Sequence, residues 1–178
     1  MKDRPKQTVN DRAHQAARAL QAGAPHAAIG VSRPLPTTVW DKAAAEARRA
    51  SIYSLTTPEK LPRTIHDFPV EELLARDPTA LARAAARIEP IAADDELILT
   101  LTVFYGLDGN REKSANALIV HLRTLDYRLQ RIQRETGLRP RSLYGSRVLR
   151  TALIARELLC QHRRAGRAGR AYLAYLTD

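Results

Sequence analysis

The chain has 178 residues, 44% hydrophobic and 27% charged, with a formal net charge of +10. That length holds one or two small globular domains with an ordinary core. A single cysteine, Cys160, excludes an internal disulfide. It falls on the inward stripe of a predicted helix, where a packed thiol is expected rather than a reactive one. No apolar run approaches the roughly 20 residues needed to cross a bilayer, and the opening M-K-D-R-P-K-Q lacks the apolar core of a signal peptide. A soluble, cytoplasmic protein with no membrane partner is the expectation.

The charge is placed unevenly. Residues 1–109 hold 14 Lys plus Arg against 14 Asp plus Glu, whereas residues 110–178 hold 15 against 5. The whole excess therefore lies at the C-terminal end. Arginine-rich composition alone would spread it along the chain, so a basic domain beside a neutral one points to a polyanion partner.

Helical periodicity dominates in chain order. Asp11 to Gln21 reads as an Ala-rich helix closed by Gly23-Ala24-Pro25. Ala27 to Val31 reads as a short buried strand ended by Ser32-Arg33-Pro34, and Thr37 to Ala50 as a helix capped by Thr37 or Thr38. Ile52 to His66, with Pro58 and Pro62, reads as a connector with a weak second strand at most. Helices are then expected over Val70–Ala75 and Pro78–Ile88, the second with Asp77 as N-cap and Pro78 at the first helical position. Asp94 or Asp95 opens the next helix, whose inward residues are Leu97, Leu101 and Phe104 or Tyr105. It ends at the turn built from Gly106, Asp108 and Gly109.

Asn110 to Arg134 carries the most specific pattern: a short apolar-faced helix, a tight break, and a second helix bearing basic side chains. That is the sequence form of a helix-turn-helix. Ala115 and Leu118 share a face, and a residue as small as Ala115 lets the second helix approach closely. Val120 plugs the corner, and His121 stands where a polar side chain caps the next helix. Leu122, Leu125, Leu129 and Ile132 then form an inward stripe. The opposite side keeps Arg123, Asp126, Tyr127, Gln130, Arg131 and Arg134. A helix in the major groove reads base edges with its first turns and holds phosphates with the groups around them. Arg123, Asp126 and Gln130 are accordingly assigned to bases, and Thr124, Tyr127, Arg128, Arg131 and Arg134 to the DNA backbone.

Gly137 then serves as C-cap and Pro140 prevents the helix from resuming. A final long helix is expected from a Ser146 cap, with Val148, Leu149, Ala152, Leu153, Arg156, Leu159 and Cys160 along one side as core or dimer interface. His162 to Arg170 reads as a flexible basic segment, either a phosphate-contacting arm or a solubilising end. The closing A-Y-L-A-Y-L is apolar enough to dock.

The string H-x-x-T-L-x-Y-R-L-x-R-I from His121 to Ile132, with Leu97, Thr100, Leu101, Tyr105, Asn110, Ala115, Leu118, Val120, Thr136 and Gly137 around it, resembles the C-terminal DNA-binding domain of PucR/CdaR-type bacterial transcriptional regulators. The resemblance implies a Fis-type helix-turn-helix and regulation of transcription, activation before repression. It also marks two differences. Leu122 and Arg123 stand where such regulators usually carry Arg-Asn, and Asp126 stands where they carry Arg. Upstream, A-A-I-G-V-S-R-P at Ala27 to Pro34, the helix through Trp40 and Ala45, and T-I-H-D-F at Thr64 to Phe68 resemble the tail of the GGDEF-like middle domain of these regulators.

Enzyme signatures are missing from the sequence. The five histidines are scattered without metal-ligand spacing, no phosphate-cradling glycine loop or G-x-S-x-G is present, and the Gly-Gly-Asp/Glu-Glu-Phe string of a diguanylate cyclase does not occur. The acids Asp94, Asp95 and Glu96 suit a helix start better than a metal. No catalytic residue, metal or cofactor is expected.

The resulting expectation is a mainly α fold, a helical bundle with a helix-turn-helix, plus a small α/β remnant at the N-terminus. Its segments are a partial GGDEF-like α/β segment at 1–68, a helical connector at 69–92, the DNA-binding domain at 93–162 and a basic tail at 163–178. The expected function is a sequence-specific regulator reading promoter DNA as a homodimer, with double-stranded DNA and RNA polymerase as partners. The alternative is a truncated regulator that acts as a protein-interaction or dimerisation module without specific DNA binding.

Overall fold

The computed structural model describes residues 9–24, 27–57 and 61–177, with side chains given except at Asn10 and at 162–177. Eight α-helices occupy the described residues, and no strand is among them. The chain divides into two compact units, with the boundary between Glu72 and Leu73. No helix among the described residues is long and apolar enough to cross a membrane.

The first unit holds α1 (Val9–Gly23) and α2 (Trp40–Tyr53), the latter followed by single 3-10 turns at Ser54–Thr56 and Ile65–Asp67. Among the described residues the expected α/β remnant has no strand. Ala27–Val31 and the stretch before Ile65 meet in one parallel bridge, Gly30 with Arg63, where Val31 N donates to Arg63 O at 2.7 Å and Arg63 N donates to Ile29 O at 3.2 Å. Two hydrogen bonds do not make a sheet, because the chain leaves the ladder at Ser32-Arg33-Pro34 and approaches it through Pro62. Gly30 lies flat on α2, and a Cβ there would stand 1.9 Å from Ala47 O. The Thr37 and Thr38 side chains cap nothing. A 3-10 turn at Thr37–Val39 precedes α2, whose N-cap is Val39. The expected connector instead supplies the core: Ile52 and Tyr53 are buried, and Tyr53 meets Phe68 edge-on at 5.5 Å. The Tyr53 hydroxyl donates to Glu72 Oε1 at 2.9 Å, the same oxygen that Arg49 Nε holds at 2.8 Å.

α3 (Pro69–Arg76) runs across the unit boundary. The second unit continues with α4 (Pro78–Ala85), α5 (Asp95–Gly106), α6 (Arg111–Ala117), α7 (Leu122–Thr136) and α8 (Leu143–Thr177). Helix starts follow their sequence signals. Asp77 accepts from Thr79 N and Ala80 N ahead of Pro78, Asp94 accepts from Leu97 N, and Asn110 accepts from Lys113 N. A 3-10 stretch, Ala86–Ile91, containing Pro90, ends α4 sooner than expected and buries Ile88 and Ile91. α4 packs along α8, so the segment from Leu73 folds with the helices that follow it.

One core unites these helices. Leu97, Leu101, Phe104 and Tyr105 of α5, Ala115 of α6, Leu125, Leu129 and Ile132 of α7, and Leu149, Ala152 and Leu153 of α8 are all buried in it. Both candidate aromatics of α5 point inward. Ser146 does not cap α8. Instead Ser142 Oγ accepts from Gly145 N at 3.0 Å and the helix begins one turn earlier, at Leu143. Gly145 permits this, since a Cβ there would lie 2.0 Å from the Arg139 carbonyl oxygen. The α8 backbone continues to Thr177 through the segment expected to be flexible, and the side chains of His162 to Arg170 lie outside the described residues.

Tyr105 ties the unit together at the far side of α5. Its hydroxyl donates to Pro140 O at 3.2 Å, and the Arg150 guanidinium lies 4.7 Å from its ring centroid. Burial pushes the Tyr105 phenol well above its ordinary value of 10.0, only partly opposed by Arg150. The folded chain thus keeps this proton to a higher pH than the unfolded chain. The associated stability is whole below about pH 10 and is lost as pH rises beyond it. Tyr105→Phe should therefore show a shallower loss of thermal stability above pH 10 than the parent protein, measured by circular dichroism melts across alkaline pH.

Candidate nucleic-acid interface

α6 and α7 with the turn between them form the helix-turn-helix, supported from behind by α5. Helix α6 is closed by paired backbone bonds: Ile119 N donates to Asn116 O at 3.1 Å, and Val120 N donates to Ala115 O at 3.0 Å. This closure requires a left-handed residue, normally glycine, and the chain places Ile119 there at φ 55°. Its side chain is 93% exposed, so no burial offsets the strain. Val120 turns back against the core, and His121 Nδ1 accepts from Arg123 N at 3.2 Å to start α7, as its position in the sequence suggested. Gly137 ends α7 in the left-handed conformation, its N–H on Gln133 O at 2.9 Å.

Burial of Leu125, Leu129 and Ile132 fixes the rotation of α7. Arg123, Tyr127, Gln130 and Arg134 then lie along the opposite side at helical spacing, and all four are exposed. Thr124 is also exposed, on the edge nearer α5. Tyr127, 57% exposed, presents its ring to solvent. Arg123 enters no ion pair among the described residues, and Arg134 has only Glu135 at 3.8 Å.

The other assigned residues have partners inside the unit. Asp126 receives both Arg111 nitrogens, Nε on Oδ1 at 2.9 Å and Nη2 on Oδ2, a fork that ties the start of α6 to the second turn of α7. Arg128 is folded back onto α5, with Nη2 on Glu96 Oε2 at 2.9 Å and Nη1 on Thr100 Oγ1 at 3.5 Å. Arg131 reaches Asp94 at 2.9 Å. The stripe the structure brings to solvent is thus Arg123, Tyr127, Gln130 and Arg134, while Asp126, Arg128 and Arg131 flank it in ion pairs. Sequence reasoning missed Arg111. Its partner is 15 residues away across a turn, and no helical spacing rule links the two.

Arg139, Arg141 and Arg147 were not singled out either. Between Glu135 and Glu157 the chain has five arginines and no acid. Arg139, Arg141 and Arg147 of this stretch are exposed and enter no ion pair among the described residues. A cleft of about 390 Å³ separates the α5–α6 turn from the start of α8, bounded by Asp108, Gly109, Pro140, Arg141, Leu143 and Arg150. Among the described residues no group of three His, Cys, Asp or Glu is gathered as a metal site would require.

Three helices around one core, the last two joined by a tight left-handed turn and the third exposing a basic stripe, define a helix-turn-helix domain. Residues 97–155 match the family model of the PucR C-terminal helix-turn-helix domain. Among solved structures, the regulator of polyketide synthase expression from Bifidobacterium adolescentis is similar, with 26% identity over 65% of this chain and a TM-score of 0.42. The chain spans about half of that structure, 52% of its length. The search of curated proteins returned no match.

The geometry carries two expectations. A double-mutant cycle on Arg111→Ala and Asp126→Ala, read by denaturant unfolding, should give a coupling of about 1 kcal/mol, the upper end for partly exposed pairs because the contact is bidentate. Zero coupling would leave the carboxylate available to other partners. Ile119→Gly should raise stability by about 1 kcal/mol by removing left-handed strain; lower stability would mean that the isoleucine side chain makes a compensating contact.

Proposed function

We propose that this chain is a DNA-binding transcriptional regulator that inserts α7 into the major groove and selects its site by sequence. The observation that carries this reading is the outward stripe of Arg123, Tyr127, Gln130 and Arg134. It is exposed and positively charged, and it sits on the second helix of a PucR-type helix-turn-helix. In this reading Arg123 and Gln130 contact base edges, Arg123 pairing with guanine O6 and N7 and Gln130 with adenine N6 and N7. Thr124, Tyr127 and Arg134 hold phosphates. Asp126 reads a base only if its carboxylate also reaches cytosine N4 from the Arg111 fork, and Arg128 and Arg131 grip phosphate only by exchanging Glu96 and Asp94 for it. The regulator acts as a homodimer on two half-sites about one helical turn apart, because one reading helix gives little specificity alone. Activation through RNA polymerase recruitment is the preferred sign. No enzymatic activity is proposed.

A second reading, a protein-interaction or dimerisation module, draws support from those same ion pairs. Internal partners neutralise Arg128 and Arg131, which a dedicated DNA-reading helix would be expected to leave free. Selection of bound duplexes from a randomised library at near-physiological salt separates the two. An enriched motif with two related half-sites supports the regulator, and absence of enrichment supports the module. On the selected duplex, Arg123→Ala should cost about 1–3 kcal/mol and relax the preference at one position, whereas Arg134→Ala should weaken selected and unrelated duplexes alike. Equal losses on both duplexes for Arg123→Ala would remove it from the base-reading set.

A further inference from the structure

We infer that the arginines flanking the start of α8, Arg139, Arg141 and Arg147, form a second DNA-contacting surface that grips the phosphate backbone beside the groove read by α7. The inference rests on the DNA-binding reading above and answers its main difficulty. A protein that holds a duplex must neutralise several phosphates, since that term supplies most of its affinity. On α7 itself Arg128 and Arg131 are already engaged by Glu96 and Asp94, and Asp126 takes up Arg111. The reading helix alone is therefore poor in available positive charge.

The stretch after α7 supplies what is missing. Arg139, Arg141 and Arg147 are exposed, have no ion-pair partner among the described residues, and lie in a run without any acid. Arg147 shares the outer face of the first turns of α8 with Leu143 and Tyr144, which are 80% and 65% exposed. A tyrosine and a leucine held in solvent between unpaired arginines fit a sugar-phosphate backbone, whose deoxyribose offers apolar surface between charged groups.

The surface is also fixed in place relative to the reading helix. Gly145 presses the first turn of α8 against the Arg139 carbonyl, and Ser142 caps that turn. The same segment is anchored to α5 by the Tyr105 hydroxyl on Pro140 O. Across the cleft Arg150 of α8 reaches Asp108 at 3.9 Å, in the turn that leads into α6, and Arg111 at the first residue of α6 is forked onto Asp126 of α7. A short run of contacts thus leads from the reading face to the arginine segment, and each link lies inside one compact unit.

The test is the salt dependence of duplex binding. Dissociation constants would be measured for the full chain and for the triple variant Arg139→Gln, Arg141→Gln, Arg147→Gln, on the library-selected duplex and on a random-sequence duplex. Each lost phosphate contact lowers the slope of log K against log salt by about 0.9, so the triple variant should lose about 2.7. The parent's affinity advantage should then shrink about forty-fold between about 50 and 200 mM salt, equally on both duplexes. The three single variants, each expected to lower the slope by about one third of the total, keep the test open should the triple variant fold poorly. Arg123→Ala is the comparator: it should lose preference for the selected duplex.

An unchanged slope in the triple variant, with Arg123→Ala still losing preference, overturns the second surface and leaves the DNA reading standing. No duplex binding by the parent chain at low salt overturns both. A loss confined to the selected duplex would place these arginines on bases and also overturn a phosphate role.

Discussion

The removal of Leu125, Leu129 and Ile132 from water is the constraint on which the rest of the helix-turn-helix depends. Each is almost wholly buried, and burying an aliphatic side chain of this size contributes about 1.5–3 kcal/mol. No rotation of α7 keeps all three inside except the one observed. The exposed stripe of Arg123, Tyr127, Gln130 and Arg134 is therefore fixed by what lies on the other side of the helix. Ala115 has a matching role in α6: its small side chain is buried at the crossing and lets the two helices meet closely.

Electrostatics then refines what packing leaves. The Arg111 fork on Asp126 and the pairs of Arg128 with Glu96 and Arg131 with Asp94 join α7 to α6 on one flank and to the start of α5 on the other. These pairs are partly exposed and contribute modestly to stability. Their larger effect is on orientation and on charge. They link α7 to its neighbours on both flanks, and they lower the positive field along its edges. An acidic residue within α7 thus has a structural partner in this chain, and the available positive charge is displaced to Arg123, Arg134 and the stretch around the start of α8.

Strain and close approach mark the two joints that set this geometry. Ile119 occupies a left-handed position that glycine would fill without cost, and Gly145 stands where any side chain would strike the Arg139 carbonyl. The first joint sets the angle between α6 and α7, and the second sets where α8 begins. Both lie at helix ends, Ile119 just past α6 and Gly145 in the first turn of α8.

The sequence by itself determined most of the second unit, since its signals are local and chemical. Asp77 with Pro78, Asp94, Asn110, His121 and Gly137 mark helix ends through side-chain caps and one left-handed glycine, and the 3.6-residue stripe of α7 announces its buried face. It determined less in the first unit. Ala27 to Val31 has the composition of a strand, but strand formation requires a neighbour, and the chain supplies one bridge at Arg63 and no more. Ile52 and Tyr53 looked like connector because two prolines follow, whereas both are buried and Tyr53 packs edge-on against Phe68. On α7 the sequence placed Arg123, Tyr127, Gln130 and Arg134 outward, as observed, and left the partners of Asp126, Arg128 and Arg131 open. Only the tertiary structure decided that Asp126 belongs to Arg111, Arg128 to Glu96 and Arg131 to Asp94. Those partners are 15, 32 and 37 residues apart, and an ion pair at that separation depends on how helices cross, which no helical period encodes.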